Sequence, residues 1–211
     1  MHRRVVGVGL AILVGAVMPQ VARAEGFAIG LEGGYYDMTN ARNSAKAVFE
    51  GSAGGPAFGA FVRHGLGRSF FVGVGARMFR RTGERAFVAD KNSPPFRLGH
   101  PLKVRLLPVY ALVGYRLSPD STFSPYLGLG AGILSYREES TVAGEVITET
   151  ASKPSFHGVL GLEYGRGSIR FAVEGMYTTA PNTIGTSGVS KVYDESDVGG
   201  ASVVGRIIFV P

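Results

Sequence analysis

Apolar and polar residues alternate with a period of two along eight segments of this chain, which is the pattern of strands whose two faces meet different surroundings. In residues 27–38, Phe27, Ile29, Leu31 and Tyr35 share one face, with Ala28, Gly30, Glu32 and Gly34 on the other. Residues 57–64 set Phe58, Ala60 and Val62 against Gly59, Phe61 and Arg63, and residues 70–80 set Val72, Val74, Ala76 and Met78 against Gly73, Gly75 and Arg77. Residues 104–116 are apolar on both faces, with Leu107, Val109, Ala111, Val113 and Tyr115 as the expected outer set. In residues 124–137, Leu127, Leu129, Ala131 and Ile133 alternate with Gly128, Gly130 and Gly132. Residues 155–164, 168–177 and 199–210 complete the set, with Leu160, Phe171 and Ile207 on faces opposite His157, Glu174 and Arg206.

The spacing between these segments alternates too. The connections 65–69, 117–123 and 165–167 are short, whereas 39–56, 81–103, 138–154 and 178–198 are long. Up-and-down membrane barrels have short periplasmic turns and longer external loops, an asymmetry that a soluble sandwich has no reason to adopt. The expectation is an all-β, eight-stranded antiparallel up-and-down transmembrane barrel with four long external loops. Aromatic residues gather at the segment ends, as they do at membrane interfaces. Phe27, Phe70, Tyr115, Tyr126, Tyr164, Phe171 and Phe209 are expected near the inner rim, and Tyr35, Tyr36, Phe58, Phe79, Tyr136, Phe156 and Tyr177 near the outer.

Composition supports this reading. Thirty-two Gly disfavour long helices, and Cys is absent, so neither disulfides nor thiolate metal sites hold the fold. Arg3 and Arg4 precede an apolar run over residues 5–18 and the small-x-small site Ala22-Arg23-Ala24. That order predicts a secretory signal peptide, residues 1–24, cleaved after Ala24, and an exported domain over residues 25–211. The signal carries three Arg and no acid, so the net charge falls from +6 to +3 on export. This removes most of the support for a nucleic-acid partner.

The stretches Pro108-Val109-Tyr110 to Gly114-Tyr115-Arg116, Ser124 to Gly132, Gly161-Leu162-Glu163-Tyr164 and the alternating last strand resemble the small outer-membrane β-barrel family that includes OmpX-like and OmpA-barrel-like proteins. The resemblance implies residence in the bacterial outer membrane, contact with its lipid and lipopolysaccharide, insertion by the outer-membrane assembly machinery, and a monomer. Such barrels commonly end on an aromatic residue that the assembly machinery reads; here Val210 and Pro211 follow Phe209.

Three features bear on function. By parity the lumen holds Glu32, Arg63, Arg77, Glu163, Arg170, Glu174 and Arg206. An eight-stranded barrel has room for little beyond its own side chains, so these charges are expected to pair and plug the interior, with a proton or ion path as the alternative. A basic stretch, with Arg80, Arg81, Arg85, Lys103 and Arg105, is a candidate contact for lipopolysaccharide phosphates, or else a solvated loop. The acidic run Asp194-Glu195-Ser196-Asp197 lacks a metal-loop spacing and reads as exposed.

No cofactor or metal motif is present. Lipid A deacylase barrels carry a His-x-Ser pair, and His64, His100 and His157 all lack Ser two positions on. The expected role is therefore structural, adhesive or surface-interacting and non-enzymatic, with a lipid A-modifying barrel as the alternative. A soluble lipocalin-like barrel would reverse the two faces.

Overall fold

The computed structural model describes residues 26–142 and 144–211; the predicted signal peptide lies outside the described residues. Eight strands follow in chain order: β1 (Phe27–Asp37), β2 (Gly54–Leu66), β3 (Phe70–Phe87), β4 (Phe96–Arg116), β5 (Phe123–Val142), β6 (Glu145–Tyr164), β7 (Ile169–Thr179) and β8 (Gly200–Phe209). Each pairs antiparallel with the next, and β8 returns to β1 through a register from Ile29↔Phe209 to Asp37↔Ala201. The sheet is closed, so no edge presents unpaired backbone groups, the condition for placing strands in hydrocarbon.

The predicted parity holds on all eight strands. Leu31, Val62, Val74, Val109, Leu129, Leu160, Val173 and Val203 all face outward and are exposed. An apolar belt around the whole outside is a lipid-facing surface, the reverse of what a soluble lipocalin-like barrel requires. On β4 the outer set is the odd-numbered one, as expected. The aromatic expectation needs correction at four positions. Tyr36, Phe79, Tyr126 and Tyr136 are buried inside the barrel. Each has the parity of its strand's inner face, so nearness to a strand end was the wrong criterion. Phe27, Phe70, Tyr115, Tyr164, Phe171 and Phe209 remain outside at one rim, and Tyr35, Phe58, Phe156 and Tyr177 at the other.

Two connections differ from the sequence reading. β3 and β4 keep pairing out to Phe87↔Phe96, with a register shift between Glu84 and Ala86, and β5 and β6 pair out to Val142↔Glu145. Much of the second and third long loops is therefore strand, and His100 lies in β4. The first and fourth loops contain helices: a 3-10 turn (Thr39–Ala41), α1 (Arg42–Val48) and α2 (Gly188–Tyr193). At the opposite end the β6–β7 turn relies on Gly165 and Gly167, whose φ of 120° and 103° suit glycine.

Inside, large rings sit over glycines on the neighbouring strand. Phe61 is paired with Gly30, Phe71 with Gly114, Tyr110 with Gly75 and Tyr126 with Gly161. A Cβ at Gly30 would lie 2.5 Å from the Phe61 ring, and one at Gly75 2.7 Å from the Tyr110 hydroxyl. The inner-face glycines thus make the volume that the rings fill, and each ring-on-glycine pair fixes register. Replacing Gly75 with Val improves strand propensity but collides with Tyr110. We expect a net loss of about 1–3 kcal/mol, as for other overpacked interiors. The temperature at which the folded gel band converts to the unfolded one should fall; a rise would show that propensity outweighs packing.

Candidate functional site: lumen and outer rim

All seven charged residues assigned to the inner face point into the barrel, and six of them are almost fully buried. Glu32 on β1 is directly opposite Arg206 on β8, whose Nη2 lies 2.8 Å from Glu32 Oε2. On its other side Glu32 faces Gly59, and Gly59 faces Arg77. With no side chain at Gly59, Arg77 reaches past it, and its Nε lies 2.6 Å from Glu32 Oε1. Arg77 then crosses the lumen to Glu174 on β7 at 3.4 Å and donates to Ser202 Oγ at 2.5 Å. Arg206 also pairs with Glu174, which accepts a further hydrogen bond from the Tyr126 hydroxyl at 3.0 Å.

A second cluster lies nearer the short turns. Arg63 on β2 grips Glu163 on β6 with both nitrogens, at 2.6 and 2.9 Å, and Arg170 reaches the same carboxylate at 3.1 Å. Rings close the gaps: the Arg206 guanidinium lies 4.3 Å from the centre of Phe61, and Arg63 and Arg116 flank Phe71 at 5.7 and 5.3 Å. Sequence reasoning missed Arg116, which is buried; parity would have assigned it once the outer face of β4 was fixed.

His157 is also buried in the lumen. Its Nε2 lies 3.0 Å from Ser155 Oγ and its Nδ1 3.0 Å from Thr178 Oγ1, with the ring against Tyr110. Serine therefore precedes the histidine in a Ser-x-His order, within hydrogen-bond reach. Ester chemistry also needs a group that orients and charges the base, and an approach for substrate. Here the third member is a hydroxyl, and Ser155 is 1% exposed on the face away from lipid.

The basic residues of β3 and β4 divide between the two faces. Arg81 points inward and donates to Ser52 Oγ at 2.9 Å and to the Phe49 carbonyl at 3.2 Å, binding the first loop to the barrel. Arg85 reaches Ser140 on the inner face of β5. Neither is placed to touch outer-leaflet lipid. Arg80, Lys103 and Arg105 face outward and are exposed.

The family of outer membrane protein beta-barrel domains matches residues 8–201. The chain belongs to that family. No curated protein sequence matches it. The fold is similar to the solved structure of Neisserial surface protein A (NspA), at 13% identity and a TM-score of 0.55 over 90% of this chain and 100% of that one. It is likewise similar to outer membrane protein OprG from Pseudomonas aeruginosa, at 12% identity and a TM-score of 0.50 over 88% of this chain and 93% of that one.

Membership in this outer-membrane barrel family makes the short turns periplasmic and the long-loop end external. At the external end the acidic run is not simply exposed. Glu195 accepts from the backbone N–H groups of Asn43 and Ser44, at 2.9 and 2.8 Å, and from Ser44 Oγ at 2.5 Å. It thus caps α1 from a loop some 150 residues away, at the helix end that attracts negative charge. Asp197 accepts from Asn40 Nδ2 and from the Ala180 and Gly199 N–H groups, tying the first loop to both ends of the fourth. Asp194 pairs with Lys91 at 2.7 Å. The hydrogen bond and charge of Lys91 hold its carboxyl below the usual aspartate range. This contact therefore contributes above the ordinary aspartate pKa and is lost as pH falls through the lowered one.

Two outcomes test these contacts. Arg206→Ala strips one cation from both Glu32 and Glu174. It should cost about 3–5 kcal/mol, the scale for breaking a buried ion pair, whereas Arg68→Ala at the exposed Asp120 pair should cost under about 1 kcal/mol. Equal unfolding temperatures in detergent for these two variants would refute the distinction. Glu195→Ala should uncap α1 and accelerate tryptic cleavage after Arg42 and Lys46 in the folded barrel; an unchanged cleavage rate would show that α1 is held by packing alone.

Proposed function

We propose that this protein is a non-enzymatic outer-membrane barrel with a surface-interaction role, exported through a signal peptide cleaved after Ala24. In this reading the lumen is a plug and the external hairpins are the working surface. The observation that supports it is the pairing across the barrel: Arg63–Glu163 and Arg77–Glu174 join opposite walls through buried side chains. Above them an apolar layer that includes Met38, Phe49, Phe79, Leu106 and Leu134 packs in the interior, beside a cavity of about 520 Å³ that opens toward the external loops. The hairpin tips support the second part. Phe87 and Phe96 are paired and exposed, with Leu98, Val146 and Ile147 also exposed. Phe87 stands roughly 30 Å of strand beyond Met78. Apolar side chains held beyond the membrane-facing belt suit contact with another surface.

The partners we propose are outer-leaflet lipid and lipopolysaccharide, and the assembly machinery during insertion, with the barrel acting as a monomer. Reconstituted into planar lipid bilayers, the protein should give no steady conductance step, and lipid A from cells with and without it should have the same acylation pattern by mass spectrometry. A reproducible open-channel step would overturn the plug. A new or missing acyl chain would favour the lipid A-modifying alternative.

A further inference from the structure

Three arginines stand side by side on the outside of the barrel. Arg80 on β3 is directly opposite Arg105 on β4, and Arg105 is directly opposite Arg137 on β5. All three side chains face outward and are exposed. The outward positions next toward the periplasm are Met78, Leu107 and Ser135, so the row follows directly on the apolar belt at β3 and β4 and one polar position beyond it at β5. Neighbouring strands are about 4.8 Å apart, and like charges directly opposite one another destabilise a sheet. Here that arrangement occurs twice in succession.

The row is only partly neutralised from within. Among the described residues neither Arg80 nor Arg105 has an acidic partner, and Arg137 has Glu139 at 2.5 Å. One step farther out, Lys103 is opposite Glu139, so across the two rows a single carboxylate faces four cations. Excess positive charge is therefore concentrated on this wall of three strands, just past the apolar surface.

We propose that Arg80, Arg105 and Arg137 form a binding site for the phosphate of an anionic outer-leaflet lipid. A guanidinium presents paired donors that match phosphate oxygens, and an anion set between adjacent arginines converts their repulsion into attraction. The exposed side chain of Met78 and the half-buried one of Leu107 just below offer a wall for acyl chains, which favours a lipid over a soluble phosphate. The site rests on the external orientation of the long-loop end. It deepens the proposed lipid contact by adding Arg137 and by excluding the inward Arg81 and Arg85.

The test uses the purified barrel in neutral detergent, its fold checked by heat-modifiable gel mobility, against three probes: bis-phosphorylated lipid A, the same lipid A dephosphorylated, and inorganic phosphate. The parent should prefer the phosphorylated form by about tenfold or more, the scale of one or two charge-assisted contacts. R80Q/R105Q/R137Q should bind both forms alike. R42Q/K46Q/K191Q, which removes the same charge from the external loops, should keep the preference. If the triple variant does not fold, Arg105→Gln alone should reduce the preference about threefold or more, since its side chain is the middle of the row.

A preference that persists in the folded row variants, or one lost equally in the loop variant, overturns the site. So does a parent with no preference. Saturable inorganic phosphate binding that disappears in the row variant overturns the lipid assignment in favour of a soluble anion. None of these outcomes depends on conductance or lipid A acylation, so the plug reading stands or falls separately.

Discussion

Closing eight strands into a ring leaves an interior only wide enough for side chains, and the rest of this structure follows from filling it. Volume is matched strand by strand, with a ring on one strand lying over a glycine on the next, as Tyr126 lies over Gly161. Charge is matched with equal strictness. Glu32, Glu174, Arg77 and Arg206 are almost fully buried, where an unpartnered ion would cost several kcal/mol. Each meets at least two others of the four or a neighbouring hydroxyl. Replacing such a network by apolar residues can be neutral for stability, so its contribution here is better seen in geometry. Arg63–Glu163 and Arg77–Glu174 fix the distance between opposite walls, which hydrogen bonds between neighbouring strands cannot do.

The interior has two layers, and they invert the usual order of a protein. Toward the periplasm the outside is apolar and the inside charged. Toward the exterior, from about the level of Leu106 and Leu134, the inside is apolar, with Tyr36, Phe79, Val104 and Tyr136 packed against Phe49 and Ala45 of the first loop. The outside at that level carries Arg80, Arg105 and Arg137. The external half therefore has its own core, with charged residues outside it and apolar side chains exposed at the hairpin tips. This accounts for the continuation of β4 and β5 past the membrane as far as Leu102 and Tyr136, whose side chains are buried in that core; farther out the extensions of β3 and β6 are held by strand pairing.

That inversion also sets what could be read from the sequence. In the membrane, lipid on one side and a filled lumen on the other enforce a period of two, so the number of strands, their parity and all seven lumen charges were legible. Outside the membrane, water replaces lipid, and β3 beyond Arg80 and β6 before Ser155 lose strict alternation, so they read as loops. Helix α1 has no cap of its own, since its N-terminal residues bond to Glu195 across the mouth of the barrel. The same distant contact hid the role of the acidic run. Arg137 was invisible as a neighbour of Arg80 because only strand register brings residues on β3 and β5 to either side of Arg105.

The boundary between the two layers is the most constrained level of the outer surface. Below it an exposed charge would face hydrocarbon, and above it an exposed charge is ordinary. At the boundary itself, a row of like charges is tolerable only where the surroundings supply the opposite sign. The β3–β5 wall places three guanidiniums at that level, while the interior behind them at Leu106 and Tyr136 offers no countercharge except Glu138, which is bonded to the Tyr136 hydroxyl and faces inward. The lumen settles its own charge by pairing across the barrel. In the outer row Glu139 answers Arg137 alone, so the balance for Arg80 and Arg105 must come from the medium, and the medium at that height is the headgroup layer of the outer leaflet.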